Sequence, residues 1–167
     1  RMAVPYTGMI ISTRESKRVR ERVLELGVSQ ISGGSKTSVG GYEKPEREDE
    51  TTSAQFDTSD KRSLDEIVNW LCSLNFIPSF CTACYREGRT GDRFMQLCKS
   101  GQISNCCHPN ALLTLKEYIQ DYASDDTKIK ANKLIDKEIN NITSAKVKEI
   151  CKERLSMIEQ GKRDFRF

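Results

Sequence analysis

The sequence predicts an α/β segment followed by a mainly α-helical segment, and three observations support this fold class. The unbroken apolar run Met9 to Ile11 lies between Gly8 and Ser12, which is typical of a buried strand. A helical pattern and a second short apolar run follow it directly. From residue 63 onward, apolar residues recur mostly at helical spacing.

The first predicted domain, residues 1–78, contains a strand–helix–strand unit. Its helix is expected to bury four apolar residues, namely Val19, Val23, Leu24 and Leu26. Gly27 ends this helix, and residues 28–32 form the second strand. Strands joined through a helix are parallel, and parallel strands need neighbours and cover on both faces. We therefore expect the missing strands to come from upstream sequence or a partner chain. Without them, we expect the chain either to self-associate or to have a disordered N-terminal third.

A polar segment and a predicted helix follow the strand–helix–strand unit and lead to the second domain. Residues 38–62 are polar and are predicted to form a mobile surface loop. Ser63 and Glu66 then form a capping box that opens a helix. The second domain, residues 79–167, is predicted to be helical after a loop-rich stretch that holds most of the cysteines.

Composition narrows the classes of function. The chain has 167 residues and a net charge of +3, and basic residues alternate with acidic ones, so nucleic-acid binding is not indicated. No apolar run reaches the length of a membrane span. The seven cysteines cannot all pair within one chain. We therefore expect reduced thiols, a cytoplasmic location, and a metal or cluster as the reason for the clustering.

The strongest chemical signal is Cys81-Thr82-Ala83-Cys84, a C-x2-C pair, with Cys107 further along the chain. Such a pair places two thiolates at one metal, and a distant third thiolate closes the site. Zinc and a four-iron, four-sulfur cluster both accept these ligands. His108 is either a fourth zinc ligand or a surface residue. Three thiolates without a fourth ligand would leave one iron of a cluster open.

The remaining cysteines have simpler interpretations. Cys72 and Cys151 lie on predicted helices and are expected to be buried as small apolar residues. Cys98 is also expected to serve packing. Cys106 and Cys107 are adjacent, so only one of them is expected to bind the same centre. Arg86, Arg89 and Arg93 are expected to lie near the thiolates, either to balance their charge or as a solvated basic loop.

The stretch SFCTACYREGRTGDRFMQLCKSGQISNCCHPNAL, residues 79–112, closely resembles the C-terminal cluster-binding region of the HydG family. The family's C-x2-C-x22-C signature is met by Cys81, Cys84 and Cys107. AVPYTGMIISTRE and LGVSQISGGSKTSVGGY resemble the last two βα units of its radical-SAM, TIM-type barrel. The resemblance covers essentially the whole chain.

The resemblance implies a function in FeFe-hydrogenase maturation. Enzymes of this family are radical-SAM tyrosine lyases that cleave tyrosine to p-cresol and dehydroglycine, and an auxiliary 4Fe-4S cluster is where carbon monoxide and cyanide are made on iron. A second 4Fe-4S cluster, on a C-x3-C-x2-C motif, binds S-adenosylmethionine in the full-length protein. That motif is absent from this sequence. We therefore expect the chain to be a C-terminal portion, inactive alone, that acts with hydrogenase maturation partners.

Two residues at the predicted strand ends are substrate-binding candidates by this resemblance. Arg14 and Ser32 would hold the carboxylate of tyrosine. Arg14 has an alternative interpretation as a helix-start residue paired with Glu15 or Glu21. Two alternatives remain for the whole chain. One is a zinc-stabilised helical interaction module without catalysis. The other is the related tyrosine lyase of thiazole synthesis, against which the three-cysteine motif argues.

Overall fold

A computed structural model describes residues 2–3, 7–38, 40–43 and 56–167 of the chain. It divides into two compact units, Arg1–Ile67 and Val68–Phe167. The described part is mostly helical, with a two-stranded parallel sheet near its start. Residues 39 and 44–55 of the predicted mobile loop lie outside the described residues.

The first unit contains the predicted strand–helix–strand unit. Strand β1 (Ile10–Ile11) and strand β2 (Gln30–Ile31) flank helix α1 (Lys17–Glu25). The strands are parallel, with Ile10 opposite Gln30 and Ile11 opposite Ile31. The hydroxyl of Ser16 caps α1 by accepting a hydrogen bond from the Val19 N–H at 3.5 Å. The predicted βαβ connection is therefore confirmed.

The predicted burial of this unit was partly wrong. Ile10 is 68% exposed, so β1 is not buried on both faces in the described residues. Of the expected face of α1, only Leu24 is buried, whereas Val19 and Leu26 are exposed. Arg20 takes the central buried position and is 0% exposed. An isolated pair of strands offers little apolar surface against which α1 could bury its valines.

Helix α2 (Leu64–Ser73) begins at the predicted capping box. The Glu66 carboxylate accepts hydrogen bonds from the backbone N–H of Ser63 at 2.7 Å and from its hydroxyl at 2.9 Å. In return, the Glu66 N–H donates to the Ser63 hydroxyl at 3.3 Å. This reciprocal pairing satisfies the first free N–H groups of the helix.

The second unit is a helical bundle. Its helices are α3 (Ala83–Arg86), α4 (Gly91–Lys99), α5 (Ser104–Asp121), α6 (Asp125–Glu138) and α7 (Ala145–Glu159), with a 3-10 turn at Ile139–Asn141. Leu112, Leu113 and Leu115 of α5 are fully buried. Helix α5 contacts both α6 and α7, so it is the central element of this unit. Within the described residues, no helix is both long enough and apolar enough to cross a membrane.

Candidate metal centre

The cysteine stretch is more helical than expected. Cys84 lies in α3, Cys98 in α4, and Cys106 and Cys107 in the first turns of α5. The carbonyl oxygen of Ile103 accepts hydrogen bonds from the N–H groups of both Cys106, at 3.0 Å, and Cys107, at 2.8 Å. The prediction of a loop-rich stretch was therefore wrong.

Helix α5 starts before Pro109 rather than after it, and this position explains the error. Pro109 is buried inside α5, near its beginning. Proline is tolerated in the first turn of a helix, but further along it lacks the N–H that the helix needs. A proline in the sequence therefore usually indicates that a helix begins at or after it.

The thiol of Cys107 lies within the electrostatic influence of four other cysteines. The pKa of Cys107 is raised to about 11. The largest cause is partial desolvation of the thiol, although the residue as a whole is exposed, and Cys84, Cys81, Cys106 and Cys98 follow in that order. Cys84 and Cys81 act on it more strongly than its sequence neighbour Cys106 does. Arg89 links the two regions, because its N–H donates to the Cys84 carbonyl and its guanidinium contacts the sulfur of Cys106, the residue next to Cys107.

The backbone around the C-x2-C pair is shaped by short contacts. The sulfur of Cys81 accepts a hydrogen bond from the Ala83 N–H at 3.4 Å. The carbonyl oxygen of Cys84 accepts one from the Arg89 N–H at 2.8 Å. Gly88 has a positive φ of 61°, which allows the chain to turn back after α3. N–H groups aimed at ligand sulfurs also tune the potential of iron–sulfur centres.

The remaining thiols divide into buried and partly exposed groups. Cys72 is 6% exposed and Cys151 is 0% exposed, as expected for cysteines that serve packing. Burial raises the pKa of each to about 11. Cys98 and Cys106 are half-buried, and both act on Cys107.

Of the three arginines expected near the thiols, Arg89 makes a direct contact with one. Its Nη1 lies 3.2 Å from the sulfur of Cys106, and its Nη2 donates to the carbonyl oxygen of Phe167 at 2.5 Å. Arg89 is 9% exposed. Arg86 pairs instead with Asp164, and Arg93 donates to the carbonyl of Glu87 at 3.3 Å.

The residues Arg163–Phe167, termed here the C-terminal segment, pack against this cysteine region. Arg166 donates to the Glu87 carboxylate at 2.6 Å, and Asp164 forms two hydrogen bonds with Arg86. The guanidinium of Arg154 lies 4.3 Å from the ring centre of Phe167. The segment therefore joins the loop after Cys84 to the helical bundle.

His108 faces a different neighbour from the thiols discussed above. Its Nε2 lies 3.5 Å from Oε2 of Glu138, at the end of α6. This nitrogen is buried and has no hydrogen-bond partner within the described residues. The structure thus places His108 beside a carboxylate, and its role as a zinc ligand stays a prediction.

The fit of these residues to a metal centre is mixed. Cys81, Cys84 and Cys107 are free thiols from two separate stretches of the chain, and none of the three is buried. Within the described residues, however, no three His, Cys, Asp or Glu side chains stand close enough to hold a single metal ion. The donor chemistry suits a thiolate-bound cluster, and the ligand set of Cys81, Cys84 and Cys107 stays a proposal.

The two substrate-binding candidates lie in the first unit. Arg14 is exposed, and its guanidinium stacks 4.2 Å from the ring centre of Phe56. Ser32 is half-buried, and its carbonyl oxygen accepts a hydrogen bond from Arg20. The buried Arg20 also pairs with Asp60, which Arg62 binds at 2.6 Å. These contacts fix the end of β2.

Comparison with known proteins gives a family for the chain. Residues 1–77 match the Biotin and Thiamin Synthesis associated domain. The whole chain matches a crystal structure of HydG, a maturase of the FeFe-hydrogenase, at 53% identity with a TM-score of 0.91. The chain belongs to the HydG family. A second match, HydG from Carboxydothermus hydrogenoformans, has 35% identity over 93% of this chain and a TM-score of 0.62.

This chain spans about a third of its HydG relatives. It covers 35% of the first HydG structure and 31% of the second. No protein in the curated set matches it. The predicted resemblance to the HydG family is confirmed, whereas the activity of the whole protein belongs to the proposals below.

Sequence reasoning missed two features of this HydG-family chain. The first is the C-terminal segment, whose alternating charges, Arg163, Asp164 and Arg166, are the only signal of its pairing. The second is Arg20, which a helical face analysis assigns to solvent. Both depend on partners distant in sequence, at 78 positions for Arg86 with Asp164 and 40 for Arg20 with Asp60.

Proposed function

We propose that this chain holds the auxiliary 4Fe-4S cluster of a HydG-type enzyme through Cys81, Cys84 and Cys107. The full-length enzyme would be a radical-SAM lyase that cleaves tyrosine to p-cresol and dehydroglycine, and makes carbon monoxide and cyanide for assembly of the hydrogenase cofactor. One observation carries this proposal. Cys81, Cys84 and Cys107 have the C-x2-C-x22-C spacing in a chain that matches HydG over its whole length.

The protein residues would divide the work as follows. Cys81, Cys84 and Cys107 would supply three thiolates, and the Ala83 N–H already donates to the first of them. Cys107 is exposed and the other two are half-buried, so a small molecule can approach the centre from solvent. A cluster held by three thiolates supplies one iron that is free to take an external ligand.

The first unit would contribute the last two βα units of the radical-SAM barrel. Its parallel strands and the match to the Biotin and Thiamin Synthesis associated domain support this assignment. Arg14 and Ser32 would hold the carboxylate of tyrosine near the strand ends, and the guanidinium of Arg14 is exposed beside Phe56.

Radical generation would require sequence beyond this chain. The C-x3-C-x2-C motif that would hold the second 4Fe-4S cluster and S-adenosylmethionine is absent here. We propose that the chain alone binds its cluster but does not cleave tyrosine, and that it acts with hydrogenase maturation partners.

Anaerobic reconstitution tests this function. The chain should take up about four irons and acquire the broad visible absorption of a thiolate-bound cluster. Cys81→Ala, Cys84→Ala and Cys107→Ala should each lose the cluster, while the matched control Cys72→Ala should retain it. A colourless protein that binds one zinc and no iron would instead support the zinc-stabilised interaction module.

A further inference from the structure

Two adjacent cysteines at the start of α5 have different surroundings. Successive residues of an α-helix point about 100° apart around its axis. Cys106 is half-buried and lies 3.2 Å from Nη1 of Arg89, whereas Cys107 is exposed. One turn of α5 therefore carries a thiol in contact with Arg89, that of Cys106, and a solvent-exposed thiol, that of Cys107.

Two hydrogen bonds of Arg89 fix its position, and a third bond fixes the residue that it binds. Its backbone N–H donates to the carbonyl of Cys84 at 2.8 Å, which ties it to the C-x2-C loop. Its Nη2 donates to the carbonyl of Phe167 at 2.5 Å, and Asn110 of α5 binds the N–H of that phenylalanine at 2.8 Å. The guanidinium is thus held in place before any metal binds.

We propose that Arg89 is a positioning residue that selects Cys107 over Cys106 for the metal centre, by holding the Cys106 sulfur on a guanidinium that is also bound to the C-terminal segment. This inference rests on the proposed function, which supplies the centre that Cys107 serves. It goes further because it assigns a role to Arg89, to Cys106 and to the C-terminal segment.

The chemistry of the guanidinium suits this role. Arginine has five N–H donors in a rigid planar fork, so one side chain can bind a sulfur and a carbonyl oxygen at once. Lysine offers a single ammonium on a flexible stem and cannot reproduce this planar, two-sided contact. When Arg89 no longer holds Cys106, its sulfur becomes free to rotate about the Cα–Cβ bond and compete for the metal.

The first test needs no metal. In a Cys107→Ala background, the alkylation rate of Cys106 is measured by mass spectrometry over a range of pH. The plateau rates are compared, because there the thiol is fully ionised and a changed pKa no longer matters. A hydrogen bond to a charged group is typically worth about 1.5 kcal/mol or more, so Arg89→Met should raise the plateau rate about tenfold.

Two controls separate this effect from loss of structure. Arg93→Met removes a nearby exposed guanidinium whose contact is the Glu87 carbonyl, and should leave the Cys106 rate unchanged. Cys72 and Cys151, buried in the bundle, should stay protected in every variant. Deleting the C-terminal segment should reproduce the Arg89→Met result, since it removes the carbonyl that anchors Arg89.

The second test measures iron content after anaerobic reconstitution. Cys106→Ala should keep the cluster and Cys107→Ala should lose it. Combining Cys107→Ala with Arg89→Met should restore part of the iron, because the released Cys106 can replace the missing ligand, and Arg89→Lys should restore less.

The outcomes distinguish the two proposals. An equal Cys106 rate with and without Arg89 overturns the inference, and so does a faster rate with no recovery of iron. If the unsubstituted chain binds no iron under these conditions, the proposed function fails, whatever the alkylation rates show.

Discussion

The side chain of Asn110 holds the backbone of Phe167 at two points. Its Oδ1 accepts a hydrogen bond from the Phe167 N–H at 2.8 Å, and its Nδ2 donates to the Phe167 carbonyl at 3.4 Å. Asn110 is 2% exposed and belongs to the same helix as Cys107. One buried amide therefore anchors the C-terminal segment to the helix that carries the proposed third ligand.

Replacing Asn110 with alanine should lower the free energy of unfolding by about 2 kcal/mol, because the half-buried Phe167 loses the hydrogen bonds that the buried Asn110 side chain makes with its backbone. Urea denaturation followed by circular dichroism measures this. Asn140→Ala is the matched control, since Asn140 is exposed and donates to the nearby Asp136 carbonyl, and should stay within about 0.5 kcal/mol of the unsubstituted chain. Equal losses of unfolding free energy in both variants would show that the two hydrogen bonds between Asn110 and Phe167 do not stabilise the fold more than an exposed contact does.

Replacing Asp60 with asparagine should destabilise the first unit in a pH-dependent manner. Hydrogen bonding from the Arg62 side chain is the largest cause that lowers the pKa of Asp60 to about 2, and Arg20 adds to it. The folded-state pKa is thus below the unfolded value of about 3.9. The stabilisation is fully present above that value and is lost as the pH falls toward 2. Removing the buried charge should cost about 3 kcal/mol at neutral pH.

Unfolding of the Asp60→Asn variant and the unsubstituted chain should be compared by urea titration from pH 7 to pH 2.5. Their stabilities should converge as the pH falls from about 3.9 toward 2, because Asp60 then binds a proton in the unfolded unsubstituted chain while it stays ionised in the folded one. Asp57→Asn, at an exposed position in the same segment, should show no such convergence. A constant difference at every pH would contradict the assigned cause.

Alkylation of the metal-free chain should spare Cys72 and Cys151 under native conditions. Both are buried, and with a pKa of about 11 only about one such thiol in a thousand is ionised at pH 8. Cys81 and Cys84, which are half-buried, should react much faster. Peptide mass spectrometry locates the modified sites, and all seven cysteines should react in denaturant. Modification of Cys72 at the rate of Cys81 would contradict the packing role.

The chain should self-associate through its small sheet. The sheet in the described residues has only β1 and β2, and Ile10 on β1 is 68% exposed. Such strands tend to pair with strands from another chain. Ile10→Lys should reduce the mass measured by light scattering. Ile129→Lys, at an equally exposed isoleucine on α6, should leave the mass unchanged. A monomeric unsubstituted chain would remove the basis for this prediction.

The parts of the fold that follow local rules could be predicted from the sequence. The pairing of Ser63 with Glu66 and the parallel connection of β1 to β2 both follow from residues close together in the chain. The start of α5 could not, because Pro109 resembles a helix boundary while the buried leucines after it stabilise the helix on both sides of that residue.

The sequence indicates a thiolate chemistry for the candidate site, which stays a prediction, and it gives no indication of the contacts around that site. The spacing of Cys81, Cys84 and Cys107 indicates a thiolate centre before any fold is known. The contact between Arg89 and Cys106 depends on the position of Phe167, which no periodicity in the chain encodes. Local sequence patterns identify the candidate thiol ligands. Long-range packing determines which thiol contacts other protein groups and which one stays exposed.

The docked carbonyl of Phe167 also matters for anyone who produces this protein. An affinity tag fused directly after Phe167 would extend from a group already bound by Arg89 and Asn110. A bulky or rigid fusion at this position would pull on the loop after Cys84 and would disturb the arrangement around the C-x2-C pair. A flexible Gly/Ser spacer, or a cleavable tag, would avoid that artefact.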